Sequence, residues 1–221
     1  KAIFHFGEFA RIHQSFNNFD KCLDSNIIGT RSIINFCQKN NIRLIYSATS
    51  ATLGNNGADK NLSPYAFSKS HNLELLENMK KWFNFKFEIV YFYNVYGPRH
   101  IEKGEMATVI GVFENQYKNR KPLTVVRPGS QSRRFTHVFD TIKICYEAFI
   151  ANKCRHYSIF HKESFSIIEV AKMYKSKIKY IDARLGERNS SATVSKSLNN
   201  KIIKRYGKIK LKDYINSSIK G

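Results

Sequence analysis

Cysteine, proline and acid are all scarce in this chain, and no hydrophobic run is long. The four cysteines, Cys22, Cys37, Cys145 and Cys154, stand far apart with no CxxC or Cys/His ligand spacing. Neither a zinc site nor a disulfide framework is signalled, so they read as reduced thiols and no metal is expected. No run approaches the roughly 20 apolar residues needed to span a bilayer. The opening "KAIFHFGEF" lacks the long apolar core and small-residue cleavage site of a signal peptide. A soluble, cytoplasmic protein with no membrane partner is expected.

Acids number 17 against 37 Lys and Arg, a net charge of +20. Such a field can draw in nucleic acid or anionic membrane. The basic residues are spread along the whole chain, however, and no aromatic and basic RNA-binding motif stands out. Nucleic acid is therefore not the expected partner; a positive cleft for a polyphosphate ligand is the narrower reading. What the chain does have is 42% hydrophobic and 14% aromatic residues over 221 positions, enough for one fair-sized core or two small ones.

Its elements alternate. "AIFHFG" is a short apolar strand ending in glycine, and "NNFDKCLDSNIIGTRSIINFCQKNN" carries Leu23, Ile27, Ile34 and Cys37 at helical spacing. "IRLIYSAT" is a second strand, residues 64–82 a helix, and "FKFEIVYFY" a strand too apolar to be half exposed. Strands buried on both sides and alternating with helices imply a parallel sheet covered on both faces. After "NVYGPR" come a helix near 105–118, short strands at "PLTVV" and "RRFTHV", a helix through "DTIKICYEAFIAN", a strand "HYSIF", a helix from "SIIEVAKMY" and a strand "KIKYI". Polar helices are expected at "SKSLNNKIIKRYG" and "LKDYINSSI". No internal repeat and no long disordered linker is visible.

The stretch "SATSATLGNNGADKNLSPYAFSKS" concentrates the chemistry. Ser63 suits an N-cap and Pro64 the first helical position, which puts Tyr65 in the first turn and Lys69 one turn on, on the same face. An ammonium and the positive end of the helix dipole both favour a phenolate, tuning Tyr65 for proton transfer with a sugar hydroxyl. Thr49 follows the strand "RLIYS" and falls at the carboxyl edge of the sheet, where open α/β folds bind ligands. YxxxK alone is a weak pattern in a Lys-rich chain; the hydroxyl turn before it and "YNVYGPR" after the next strand give it weight.

With these motifs in order, the sequence resembles the extended short-chain dehydrogenase/reductases, the NAD-dependent nucleotide-sugar epimerases and dehydratases. "SNIIGT" is similar to the N-V-x-G-T segment, making Asn26 the helix-interrupting active-site asparagine. "YSATSATLG" resembles the Ser-Ser-Ala-Thr-x-Tyr-Gly turn, with Thr49 at the catalytic hydroxyl. "YAFSK" matches YxxxK, with Tyr65 as acid/base and Lys69 on the nicotinamide ribose. "YFYNVYGPR" is similar to R-Y-F-N-V-Y-G-P-R, which implies Phe92 and Tyr93 beside the nicotinamide and Asn94 on the nucleotide sugar. His5 and Gly7 fall on the cofactor's path. "PLTVV" and "SRRFTHVFD" place backbone near Thr124 and Val126 at the base and Arg133 on the diphosphate. "RLGER" places Arg184 on the phosphates and Glu187 near the ribose, in keeping with guanidinium forks for diphosphate and a carboxylate for vicinal hydroxyls.

The resemblance implies a Rossmann-like, doubly wound parallel sheet that lacks its first βαβ units, plus a smaller C-terminal α+β substrate domain. The partial NAD-binding domain would comprise residues 1–104 and 134–161, and the nucleotide-sugar domain 105–133 and 162–221. The first residue is Lys and no glycine-rich turn precedes it. A fragment is therefore expected, short of about 60 residues by βαβ units of roughly 30, together with the amides that hold a pyrophosphate. Such a chain would be unable to hold NAD alone. Departures from the pattern are "HFGEF" for His-Leu-Ala-Ala, which leaves Glu8 unassigned, Tyr91 for Arg, and Arg134 for Asp. Dehydratases carry Asp-Glu after the catalytic Thr, whereas Ser50 and Ala51 follow Thr49 here. The implied activity is an NAD-dependent nucleotide-sugar epimerase, closest to UDP-glucose 4-epimerase, with NAD recycled in place and a UDP-hexose as substrate. "GPRHIEKGEMATVI" is similar to a segment of the ADP-heptose 6-epimerases, the first alternative; a cationic RNA- or protein-binding module is the non-enzymatic one. A homodimer through a bundle of the helices near 18–39 and 64–82 is also implied, with Leu73, Leu75, Leu76 and Met79 facing either the partner or the chain's own sheet.

Overall fold

A computed structural model describes residues 1–183 and 202–220. Strand β1 (Ala2–His5) leads through an irregular segment into short helices α1 (Gln14–Asn17) and α2 (Phe19–Leu23), a π-helical turn (Asp24–Ile28) and α3 (Gly29–Lys39). Next come β2 (Arg43–Thr49), a 3-10 segment (Ser50–Asn61), α4 (Pro64–Phe83), β3 (Phe87–Phe92) and β4 (Val95–Tyr96). The chain continues with α5 (Val109–Lys118), β5 (Leu123–Val126), β6 (Ser132–Arg134), β7 (Thr136–His137), α6 (Val138–Ala151), β8 (His156–Phe160) and β9 (Ser164–Ser166). It ends in α7 (Ile167–Met173), β10 (Ile178–Ile181), β11 (Ile202–Tyr206) and α8 (Leu211–Lys220).

The main sheet is parallel throughout, in the order β1-β2-β3-β8-β11. Its strands are apolar on both faces because helices cover both. Leu44, Tyr46 and Ala48 of β2 pack with Ile34 and Cys37 of α3 and Leu76 and Met79 of α4. Ile45, on the other face of the same strand, packs with Ile144, Cys145 and Ala148 of α6. Each of the fully buried Leu and Ile side chains among them stabilises the fold by about 1.5–3 kcal/mol. Leu73 and Leu75 also pack against the core under α4, so these four residues of α4 face their own sheet.

Caps explain where the helices begin. Ser63 Oγ accepts from Ala66 N at 3.1 Å and Pro64 takes the first position of α4. Asn84 ends that helix in the left-handed region. Ser166 and Glu169 close a reciprocal capping box on α7. A second core forms around Tyr96, Phe113, Leu123, Val125 and Val170, and Leu211 and Ile215 of α8 join it. There α5 runs so close to the preceding loop that a Cβ on Gly111 would clash with the Ile101 carbonyl oxygen.

One expectation is overturned. The described part of "SKSLNNKIIKRYG" is strand β11, which pairs in parallel with β8. Ile202 is buried in the core on the α3/α4 side and Ile203 packs on the α6 side. Alternating faces, with two β-branched residues at the sheet edge, outweigh the helical reading. Residues 195–201 lie outside the described residues, as do Arg184 and Glu187.

Candidate active site

The cavity of interest, about 510 Å3, opens at the carboxyl edge of β2 and β3 and reaches toward the second core. Thr49 ends β2, where its hydroxyl accepts from Ala51 N at 3.2 Å and starts the 3-10 segment. Tyr65 and Lys69, in the first two turns of α4, are 8% and 3% exposed and line the same cavity. The Thr49 side chain lines the same cavity, and it favours ionisation of the Tyr65 phenol. Phe92 and Asn94 approach from the end of β3, and Thr124, Val126 and Arg133 from the far side. Eight of the expected positions thus share one space.

Others lie apart from it. Tyr93 turns into the core, its ring 5.1 Å from that of Phe160 and its hydroxyl accepting from Ser158 Oγ at 3.2 Å. His5 is buried with its Nε2 2.9 Å from Thr30 Oγ1. Gly7 is not among the lining residues. Asn26 sits in the π-helical turn, fully buried, and holds the segment after β1: its Oδ1 accepts from Phe9 N at 2.7 Å and its Nδ2 donates to Phe9 O at 3.1 Å. Its Nδ2 also reaches Ser68 Oγ at 2.9 Å on α4. Asn26 therefore shapes the site from behind.

Two features differ from the expected chemistry. The Tyr65 phenol is not acidified; burial pushes it up to about 12, and Thr49 and the charge of Arg11 recover only part of that cost. Lys69 is not free to face it. The ammonium donates to Glu8 Oε2 in a buried ion pair and to the Ser47 carbonyl at 2.6 Å, and it lies 4.8 Å from the centre of the Tyr46 ring. Burial lowers the Lys69 pKa, against the pull of Glu8. Glu8 was the residue without an assignment. A lone acid just past the first strand in so basic a chain is the signal for it, but its partner is 61 positions away.

The nicotinamide end of NAD fits these residues. Of the three N–H donors of an ammonium, Lys69 commits two to Glu8 and Ser47, leaving one for a ribose hydroxyl. Phe92 supplies an apolar wall and Tyr65 a hydroxyl in the same space.

The model of the NAD dependent epimerase/dehydratase family matches residues 1–159. The chain belongs to that family. It is 30% identical over 165 residues to the ADP-L-glycero-D-manno-heptose-6-epimerase of Fusobacterium nucleatum subsp. nucleatum, covering 66% of this chain and 49% of the relative. A putative UDP-glucose 4-epimerase of Methanocaldococcus jannaschii is 34% identical over 131 residues, 54% of this chain and 42% of the relative. The chain thus spans about half the length of these curated relatives. Among solved structures, the UDP-glucuronic acid 4-epimerase of Bacillus cereus in complex with UDP-glucuronic acid and NAD superimposes with a TM-score of 0.83 at 22% identity, over 98% of this chain and 73% of that one. The fold of this family member is accordingly the Rossmann-like mixed α/β fold with a parallel central sheet.

Proposed function

We propose that the protein to which this chain belongs is an NAD-dependent nucleotide-sugar epimerase. The observation that carries the reading is the half-buried Thr49 hydroxyl and the buried Tyr65 phenol on the wall of one cavity, with Lys69 in the same lining. NAD, when bound, supplies acceptance and return of a hydride at a carbinol carbon. Lys69 and Tyr65 would hold its ribose and Phe92 would stand beside the nicotinamide. Tyr65, in its phenolate form, would take the hydroxyl proton of the sugar as the hydride leaves the carbinol carbon and give it back when the hydride returns, with Thr49 bridging the two oxygens. Asn94, Arg133 and the backbone near Thr124 and Val126 orient the nucleotide, fixing the carbinol against the phenol; Arg184 and Glu187 are assigned to its diphosphate and ribose.

Dehydration is disfavoured. Ser50 and Ala51 follow Thr49, and the only carboxylate among the described lining residues, Glu8, is committed to Lys69. UDP-hexose is the first substrate to test and ADP-heptose the second, the latter favoured by the similarity to a heptose epimerase. The larger sheet with α3, α4 and α6 is assigned to cofactor binding and the second core to the nucleotide sugar. Exposed Phe19, Ile28, Phe36 and Phe67 on the helices near 18–39 and 64–82 support a homodimer through those helices, and free thiols suit the cytoplasm. The test is to supply the full-length protein with UDP-galactose and look for UDP-glucose. Turnover of ADP-heptose alone would replace the substrate, and turnover of neither would sink the reading.

A further inference from the structure

The chain that leaves β4 turns back onto α5. Thr108 N donates to the Ile101 carbonyl at 3.0 Å and Ala107 N to that of Gly104 at 3.1 Å, so residues 101–108 form a short loop closed on itself. Its far end reaches the cavity, which Ala107 and Thr108 line beside Ile110 and Phe113 of α5. Its near end carries His100 and Glu102. One ligand atom from each of these and one from Glu114 of α5 all lie within 4.8 Å of one another. No cysteine takes part, so the wide spacing of the cysteines does not bear on this set.

The buried half of the cluster is short of partners. The side chains of His100 and Glu114 are 8% and 5% exposed, with His100 Nε2 3.2 Å from Glu114 Oε2. Glu114 Oε1 and His100 Nδ1 are buried without a hydrogen bond among the described residues. Ser218 and Tyr214 of α8 act on this carboxylate as well, but neither bonds Oε1. A buried carboxylate is ordinarily held by an opposite charge or a metal. The other half of the cluster already attracts a cation: Lys118 Nζ, one turn beyond Glu114, stands 3.1 Å from Glu102 Oε1 and 4.0 Å from Glu114 Oε2. The Lys118 side chain is 53% exposed, and an exposed ion pair holds it only weakly. It is free to swing out into water when a stronger cation arrives.

We propose that His100, Glu102 and Glu114 bind a divalent transition-metal ion, of which zinc fits best, and that Lys118 holds the place of the ion in its absence. One imidazole and two carboxylates suit zinc, whereas magnesium and calcium take oxygen ligands. The 3.2 Å between His100 Nε2 and Glu114 Oε2 is near the roughly 3.3 Å that separates two ligands of a tetrahedral zinc with bonds of about 2.0 Å. Glu102 closes the set from the loop, and the position that Lys118 vacates is left to water. With three protein ligands instead of a closed four, the ion exchanges, and the loop is tied to α5 only while metal is present. The wall that Ala107 and Thr108 present to the cavity is thereby steadied from outside the cavity.

The test uses the full-length protein, stripped of metal by a chelator and titrated with Co2+ as a visible stand-in for zinc. One equivalent should bind with the intense bands of four-coordinate cobalt, which zinc removes and Mg2+ does not. Glu102→Gln, at the exposed rim, should weaken binding at least tenfold, since even the outer partners of a metal ligand matter by about that much. His100→Gln should weaken it further. Lys118→Met should tighten binding by up to about fivefold, the most that an exposed pair contributes, because the competing ammonium is gone. Three results overturn the proposal: no bound cobalt, a spectrum with thiolate charge-transfer bands, which would place the ion on cysteine, or binding that Glu102→Gln and His100→Gln leave unchanged. A Lys118→Met protein that binds more weakly than the parent overturns it too. If His100→Gln is unfolded by circular dichroism, Glu102→Gln and Lys118→Met decide alone.

Discussion

The carboxamide of Asn26 makes both hydrogen bonds that the backbone of Phe9 can offer, accepting from N at 2.7 Å and donating to O at 3.1 Å, 17 residues apart. A π-helical turn brings the carboxamide there. This is the fastening that sets where Glu8 and Arg11 stand. Asn26→Ala takes the donor from the Phe9 carbonyl and leaves Phe9 N only the Ser25 hydroxyl at 3.2 Å. It should cost about 1–3 kcal/mol by the penalty for an unmet buried group, read in urea unfolding, with the Lys69–Glu8 contact loosened. Asn26→Asp keeps the acceptor but sets a carboxylate against the Phe9 carbonyl, and should cost no less.

Tyr65→Phe in the full-length protein should lower kcat by about 10²–10⁴-fold, the usual range for a positioned acid or base, while leaving thermal stability close to the parent. Thr49→Ala should reduce turnover by less, and Thr49→Ser should recover most of it. Steady-state rates with whichever of UDP-galactose and ADP-heptose is turned over check all three; a fully active Tyr65→Phe enzyme would remove the proton-transfer role.

Burial holds several phenols in the proton-bound state: Tyr46, Tyr91, Tyr96 and Tyr174 are all pushed upward, as is Tyr65, to about 12. In the unfolded chain they ionise near about 10. The unfolded state therefore sheds protons first, and stability should fall as pH rises from about 10 through the folded values. Tyr174 offers a clean probe, because its hydroxyl is buried without a hydrogen-bond partner among the described residues. Tyr174→Phe should be neutral or stabilising by up to about 1 kcal/mol at neutral pH and should flatten the alkaline loss, as measured by urea unfolding across that range.

Glu88 is 0% exposed at the second position of β3. Its Oε1 accepts from Lys153 N at 2.7 Å and Cys154 N at 3.0 Å, and its Oε2 from Arg155 N at 2.9 Å. It thus caps the turn that feeds β8 beside β3. Glu88→Gln turns one acceptor into a donor facing an N–H and should cost about 2–3 kcal/mol, a Tm lower by about 4–12 °C for a chain of this size. A variant as stable as the parent would show that the turn needs no such cap.

Much of this was legible in the sequence where one residue type has one solution. β2 reads as a strand because helices bury both its faces, and α4 announces itself through Ser63 and Pro64. The cavity could be assembled from Thr49, Tyr65, Lys69, Phe92, Asn94 and Arg133 because each sits at the end of a recognisable element. What stayed hidden depends on distance and side: the Glu8–Lys69 pair joins segments 61 positions apart, and Tyr93 differs from Phe92 only by which face of the chain it occupies. β11 was obscured because "KIIKRYG" satisfies helical spacing until β8 offers it a ladder.

Phe4 of β1 and Phe6 just after it are 41% and 48% exposed, with their ring centroids 6.1 Å apart. Such a pair of exposed rings favours self-association. Against it stands the mutual repulsion of molecules carrying +20 each. Colloidal behaviour is therefore tied to ionic strength: a solution that stays clear in dilute buffer should scatter light as added salt screens that repulsion.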